Sequence, residues 1–147
     1  MQIRNKKGEV IYEGRFEAGP EGLTLREAVL EGMTLQSAYL DDANLEGANL
    51  RRADLYWAHL FRANLANADL EGAQLQGADL KEANLTGANL RAANLGRDNL
   101  GGSTQLQGAR LERAILAGTK LDGAEYDRKT IFPLGFHPEK FKMILRD

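Results

Sequence analysis

The chain has 147 residues and a net charge of −2, from 19 Lys and Arg against 21 Asp and Glu. That length suits one domain, and the balance excludes a strongly basic nucleic-acid binder and argues against a heavily acidic imitation of nucleic acid. With no cysteine, neither a disulfide framework nor a thiolate metal site is open to it. No run reaches the ~20 apolar residues of a membrane span, and the segment Met1–Lys7 lacks the apolar stretch of a secretory signal. The expectation is a cytoplasmic protein without a membrane partner.

In chain order, Gln2-Ile3-Arg4 and Glu9–Glu13 flank the turn residues Asn5–Gly8, which predicts a β-hairpin. Thr24–Gly32 follows. Thr24 and Glu27 have the spacing of a capping box and Gly32 that of a C-terminal stop, so a short helix is expected. Leu25, Ala28 and Leu30 equally fit the five-residue pattern that comes next.

From Leu30 to Leu100, Leu stands at every fifth position, usually with Ala two residues earlier and Asn or Asp between. After one extra residue the pattern resumes at Leu106, Leu111, Leu116, Leu121 and Tyr126. A period of five would spread the leucines round a helix axis and alternate them between the faces of one strand. All of them can be buried only if the chain turns once per repeat. Ala and Leu then point inward from a short extended side, and the next two residues, often ending in Gly as at Gly47, Gly72 and Gly87, make the corner. The product is a solenoid with an interior of Leu and Ala.

Charges set the number of sides, because stacked residues lie ~4.8 Å apart and like charges there repel. Three sides would stack Asp54 on Asp69, and five would stack it on Asp79. Four sides avoid both. They give the alternating columns Glu31, Arg51, Glu71, Arg91, Glu112 and Asp42, Arg62, Glu82, and an amide ladder Asn44, Asn64, Asn84, Gln105.

The departure from pattern is at Asp98–Gln105. Asp98 takes an Ala place, and one residue is inserted near 101–105. Asp98 is expected to be buried or half buried, with hydrogen bonds from the bulge amides and from Thr119. At the C-terminus, Pro138–Leu145 predicts a short helix with Phe141, Ile144 and Leu145 on one face, capping the last coil.

The sequence shows no catalytic constellation, cofactor motif or metal-ligand spacing. His59 has no nucleophile at a recognisable spacing, and the glycines follow the repeat rather than a phosphate loop. The expectation is a non-enzyme with no catalytic, cofactor or metal residues. One outward cluster is unusual: Tyr39, Tyr56, Trp57, His59 and Phe61 fall on adjacent sides of neighbouring coils, with Tyr39 and His59 twenty apart and therefore stacked. Such a patch is read either as a protein-binding surface or as the seat of a terminal segment.

The blocks AlaAsnLeuGluGly at 43–47, AlaAspLeuGluGly at 68–72 and AlaAsnLeuThrGly at 83–87 resemble the A-(D/N)-L-x-x signature of pentapeptide-repeat proteins. The resemblance implies an all-β solenoid, a right-handed quadrilateral β-helix, here of about five coils. The expected organisation is one domain: a hairpin and short-helix cap at 1–32, coils at 33–127 and a helical cap at 128–147. It also implies an interaction scaffold as the function; an unidentified protein partner is expected, and a monomer rather than a dimer. The alternative is a DNA mimic that binds or protects DNA gyrase, as some family members do. The near-neutral charge and the short insertion disfavour that, and nucleic acid is not expected as a ligand.

Overall fold

The computed structural model describes residues 2–4, 6–13 and 23–147. Met1, Asn5 and the part of the expected N-terminal cap at 14–22 lie outside the described residues.

Each five-residue unit obeys one hydrogen-bonding rule. The Ala N–H bonds the carbonyl of the preceding Leu, as Ala48 does with Leu45 at 3.0 Å, closing a turn over the two corner residues. The second corner residue is left-handed, for instance Gly47 at φ 65° and Arg52 at φ 54°. The extended part then pairs in parallel with the residue one coil away. Four bridge columns result: Thr24–Asn44–Asn64–Asn84, Val29–Asn49–Asp69–Asn89, Thr34–Asp54–Gln74–Asn94 and Tyr39–His59–Asp79. Residues twenty apart are neighbours, so one circuit has four walls of five residues.

The Asn or Asp before each Leu has a local task. Its side-chain oxygen accepts the N–H of the first corner residue, as in Glu46 N to Asn44 Oδ1 at 3.1 Å and Arg91 N to Asn89 Oδ1 at 3.1 Å. Without it, that amide would face the wall unpaired. The inward Leu and Ala from Leu25 to Leu95 are buried in one continuous core. That burial is the main stabilising term, at roughly 25 cal/mol per Å² of apolar area.

The expected helix at 24–32 does not form. Thr24 bridges Asn44 and Val29 bridges Asn49, so these residues belong to the coil. A single helical stripe could not bury Leu25, Ala28 and Leu30 on the coil below, whereas the five-residue path buries all three completely. The pairing therefore starts ahead of residue 33. Strands β1 (Gln2–Arg4) and β2 (Val10–Glu13) form an antiparallel hairpin. It joins the first coil through Val29 N to Arg4 O at 2.7 Å and Lys6 N to Glu27 O at 3.2 Å.

The insertion is six residues, not one. Asp79 bridges Gln105, twenty-six residues on, and the same spacing holds for Asn84–Arg110, Asn89–Ile115 and Asn94–Lys120. Leu100, which keeps the period of five in the sequence, is 86% exposed at the tip of the excursion. Two expected columns change accordingly. Glu112 lies over Thr86 rather than Arg91, and Arg110 rather than Gln105 follows Asn84. The excursion carries Asp98, whose carboxylate takes hydrogen bonds from the Leu100 and Gly102 amides, offsetting the desolvation that an Ala place among leucines would impose. Thr104 fills the next Ala place instead, its hydroxyl donating to Leu75 O at 2.7 Å.

The expected C-terminal helix shrinks to one 3-10 turn, Pro138–Phe141, ended by left-handed Lys142. The chain then re-enters the stack. Strand β4 (Ile144–Leu145) runs parallel to β3 (Glu125–Tyr126), and buried Met143 joins the core. Pairing thus extends past residue 127, because the open carbonyls of Ala124 and Tyr126 accept Ile144 N and Arg146 N at 2.8 and 2.7 Å. Stacked rings of Phe132, Phe136 and Phe141 lie beside this end, with Tyr126 edge-on to Phe132. Among the described residues, no helix is long and apolar enough to cross a membrane.

Candidate functional site: an aromatic corner and its loop

Tyr39 and His59 occupy bridged positions of one wall, and their rings stack at 4.6 Å and 17°. The 17° tilt follows from the parallel pairing, which fixes both Cβ vectors one coil apart. Tyr39 remains 47% exposed. Tyr56 and Trp57 form the corner that leads into this wall, with ring centroids 6.4 Å apart. Phe61 starts the next corner, under the guanidinium of Arg62 at 5.5 Å. Two pairs thus form within the predicted cluster, Tyr39 with His59 and Tyr56 with Trp57, with Phe61 at the following corner.

Trp57 carries the corner's left-handed conformation at φ 57°, a strained setting for so large a residue. Its ring lies across Gly77, the residue one coil further on. A Cβ there would stand 3.0 Å from the indole. Gly102, returning from the six-residue loop, packs against the same ring and against the Asp98 carboxylate, leaving no space for a methyl group. Trp57 is still 43% exposed. Among the described residues, these contacts come from Gly77 in the next coil and Gly102 in the inserted loop.

Asp98 anchors that loop. It is 9% exposed, and Oδ1 accepts the N–H groups of Leu100 at 2.8 Å and Gly102 at 2.6 Å. Oδ2 is enclosed and makes no full hydrogen bond. Burial alone would raise the carboxyl. The Gly102 and Leu100 amides, helped electrostatically by Tyr56 and Trp57, hold it below the ordinary aspartate range. The expected bond from Thr119 is absent, because the twenty-six-residue spacing carries Thr119 elsewhere and its hydroxyl donates to Leu90 O at 2.7 Å. The contact of Asp98 with Tyr56 and Trp57 was not foreseen in the sequence. One signal for the seat existed: a glycine, Gly77, twenty residues beyond the only tryptophan.

The walls themselves carry paired charges. Arg51 grips Glu71 with two bonds of 2.9 and 3.0 Å and reaches Asp69 at 3.2 Å. Arg62 meets Asp42 at 2.7 Å and Arg26 meets Glu46 at 3.0 Å. The amide ladder joins Asn44, Asn64 and Asn84 at 3.4 and 3.3 Å.

The family model for pentapeptide repeats, in eight copies, matches residues 24–65 and 58–97. Among solved structures, the chain resembles a pentapeptide repeat protein from Nostoc PCC 7120, with 38% identity, a TM-score of 0.44, and coverage of 77% of this chain and 84% of that one. A pentapeptide repeat protein from the Arabidopsis thaliana thylakoid lumen matches with 28% identity and a TM-score of 0.54, over 67% of this chain and 68% of that one. Rfr23, a pentapeptide repeat protein from the cyanobacterium Cyanothece 51142, matches with 35% identity and a TM-score of 0.42, over 78% of this chain and 67% of that one. A comparison with curated protein sequences gives no match.

Proposed function

The chain belongs to the pentapeptide-repeat family of right-handed β-helix solenoids, and on that premise we propose that it is a cytoplasmic, non-enzymatic scaffold that engages a protein partner through Tyr39, Tyr56, Trp57, His59 and Phe61. The observation that carries this reading is the exposure of Tyr39 on its wall and of Trp57 at the corner leading into that wall, whose His59 is bridged on both sides, by Tyr39 and Asp79. A rigid wall loses little ordering entropy when a partner docks. Aromatic side chains supply large buried area for few ordered torsions. The paired charges elsewhere on the walls add little affinity. The same alternation of sign speaks against DNA mimicry, which relies on a strongly negative flank.

The test uses Tyr39, because removing Trp57 would also unseat the loop. The tagged chain, its Tyr39→Ala variant and an Ile115→Ala variant are used for capture from the lysate of the native host. Ile115 is an exposed apolar residue of a different wall. A partner held by the native chain and by Ile115→Ala, but lost with Tyr39→Ala, supports the reading. A partner held equally by all three overturns it.

A further inference from the structure

Where the loop leaves the stack, the exposed side chains of Arg97, Lys120, Lys140 and Lys142 line an open cavity of about 480 Å³. Among the described residues, none of these four cations has an ion-pair partner. That contrasts with the walls, where Arg26, Arg51, Arg62 and Arg110 each hold a carboxylate. Asp122 is the single acidic residue at the cavity, so the local charge is strongly positive in a chain whose net charge is −2.

The segments that present these groups are tied to one another. Arg97 N donates to Asp122 O at 3.1 Å, and Gly123 N donates to Lys142 O at 3.0 Å. The Arg97 side chain lies flat across Gly123, where a methyl group would collide with its Cγ, Cδ and Nε. The next residue, Asp98, is fixed by the loop amides. The six-residue insertion thus begins at Arg97, which lines the cavity, and returns at Gly102, which packs on Trp57.

We infer that this cavity binds a small phosphorylated molecule bearing a flat ring. Several unpaired cations around one space suit a group with more than one negative charge, and a guanidinium matches phosphate oxygens two at a time. The volume lies in the range of small-ligand sites. Phe141 and buried Leu121 add an apolar wall. One face of Phe141 rests on Phe136 at 4.8 Å and 13°, and the ring is 40% exposed, which leaves surface for a planar group to stack. The inference is independent of the aromatic corner's role.

Calorimetric titration of the full chain with ADP, pyrophosphate, adenosine and sulfate tests it. The expected order is ADP tightest, pyrophosphate weaker, and adenosine and sulfate without measurable heat. Arg97→Gln and Lys142→Gln are each expected to weaken ADP at least tenfold and to flatten its salt dependence. Arg113→Gln, at a distant corner, is expected to leave it unchanged. Circular dichroism spectra that superimpose on the native chain's establish that the variants fold. Absence of ADP and pyrophosphate binding at millimolar concentration overturns the inference. So does sulfate binding as tightly as pyrophosphate, or ADP binding unaffected by Arg97→Gln. Pyrophosphate binding as tightly as ADP removes the flat ring from the assignment.

Discussion

Asp41 accepts the backbone N–H of Phe61 through Oδ1 at 2.8 Å, across one full coil. Along most of the stack the corresponding amide is taken by the Asn or Asp two residues earlier in its own coil. His59 occupies that place ahead of Phe61 and supplies no such bond. Stacking His59 on Tyr39 therefore removes a local cap, and a carboxylate from the neighbouring coil replaces it. Asp41→Ala is expected to speed hydrogen exchange at the Phe61 amide severalfold while leaving the Ala66 and Glu71 amides, which keep their own caps, unchanged. Equal exchange at Phe61 in both proteins would show that solvent satisfies that amide as well as Asp41 does.

Leu65 lies mid-stack and is fully buried. Leu65→Ala leaves a cavity bounded by coils on both sides, which cannot collapse without breaking their pairing. The expected loss is about 2–5 kcal/mol, read from urea unfolding. A loss under about 1 kcal/mol would mean an interior that gives way more readily than native cores do.

Asp98 makes loop docking sensitive to acid. Its folded-state pKa is lowered, so the docked loop gains from ionisation above the ordinary aspartate value and loses that gain as pH falls through the lowered one. Trp57 is the only tryptophan, so its emission reports on the loop. A red shift is expected as pH drops below about 4. Asp127 and Glu112 are lowered as well and titrate in the same region. Asp98→Asn isolates the contribution of Asp98: its emission is expected to be nearly flat over that range, and an unchanged acid transition in this variant would assign the effect to the other two carboxyls.

Deleting residues 97–102 removes the insertion and joins Gly96 to Ser103. In the remaining sequence, Leu95-Gly96-Ser103-Thr104-Gln105-Leu106, Leu106 follows Leu95 at the five-residue period with Thr104 in the Ala place. The shortened chain is expected to keep the circular dichroism spectrum of the native one, with red-shifted Trp57 emission. Loss of the fold would mean that the loop is needed to close the circuit.

The coil was legible because its period is unusual. Five-residue spacing of Leu admits few solutions, and Asp54 alone separated four walls from three or five. The insertion was not legible for an arithmetic reason: six residues are one whole unit plus one, so Leu100 continues the pattern while standing outside the core. Residues 24–32 were ambiguous because Thr24, Glu27 and Gly32 have the spacing of helix ends while Leu25, Ala28 and Leu30 fit the coil. At the C-terminus, Phe141, Ile144 and Leu145 have helical spacing, but left-handed Lys142 redirects the chain into the sheet. In the candidate site, Tyr39 on His59 followed from the twenty-residue circuit. The seat of Asp98 beside Trp57 did not, since it depends on the path of the loop through space.

The left-handed corners are unevenly composed. From Glu27 to Asn67 they are mostly held by residues with a Cβ: Glu27, Ser37, Asp42, Arg52, Trp57, Arg62 and Asn67, with Gly32 and Gly47 between. From Gly72 to Gly123 glycine dominates, and only Glu82, Ala92 and Arg113 interrupt it. A side chain in this conformation costs about 1–2 kcal/mol that glycine avoids. Conformational tension is therefore concentrated in the N-terminal half of the stack. A mechanical polarity is expected of the solenoid: hydrogen exchange should be faster in its first coils than in the glycine-cornered ones, and the wall bearing Tyr39 and His59 belongs to the former.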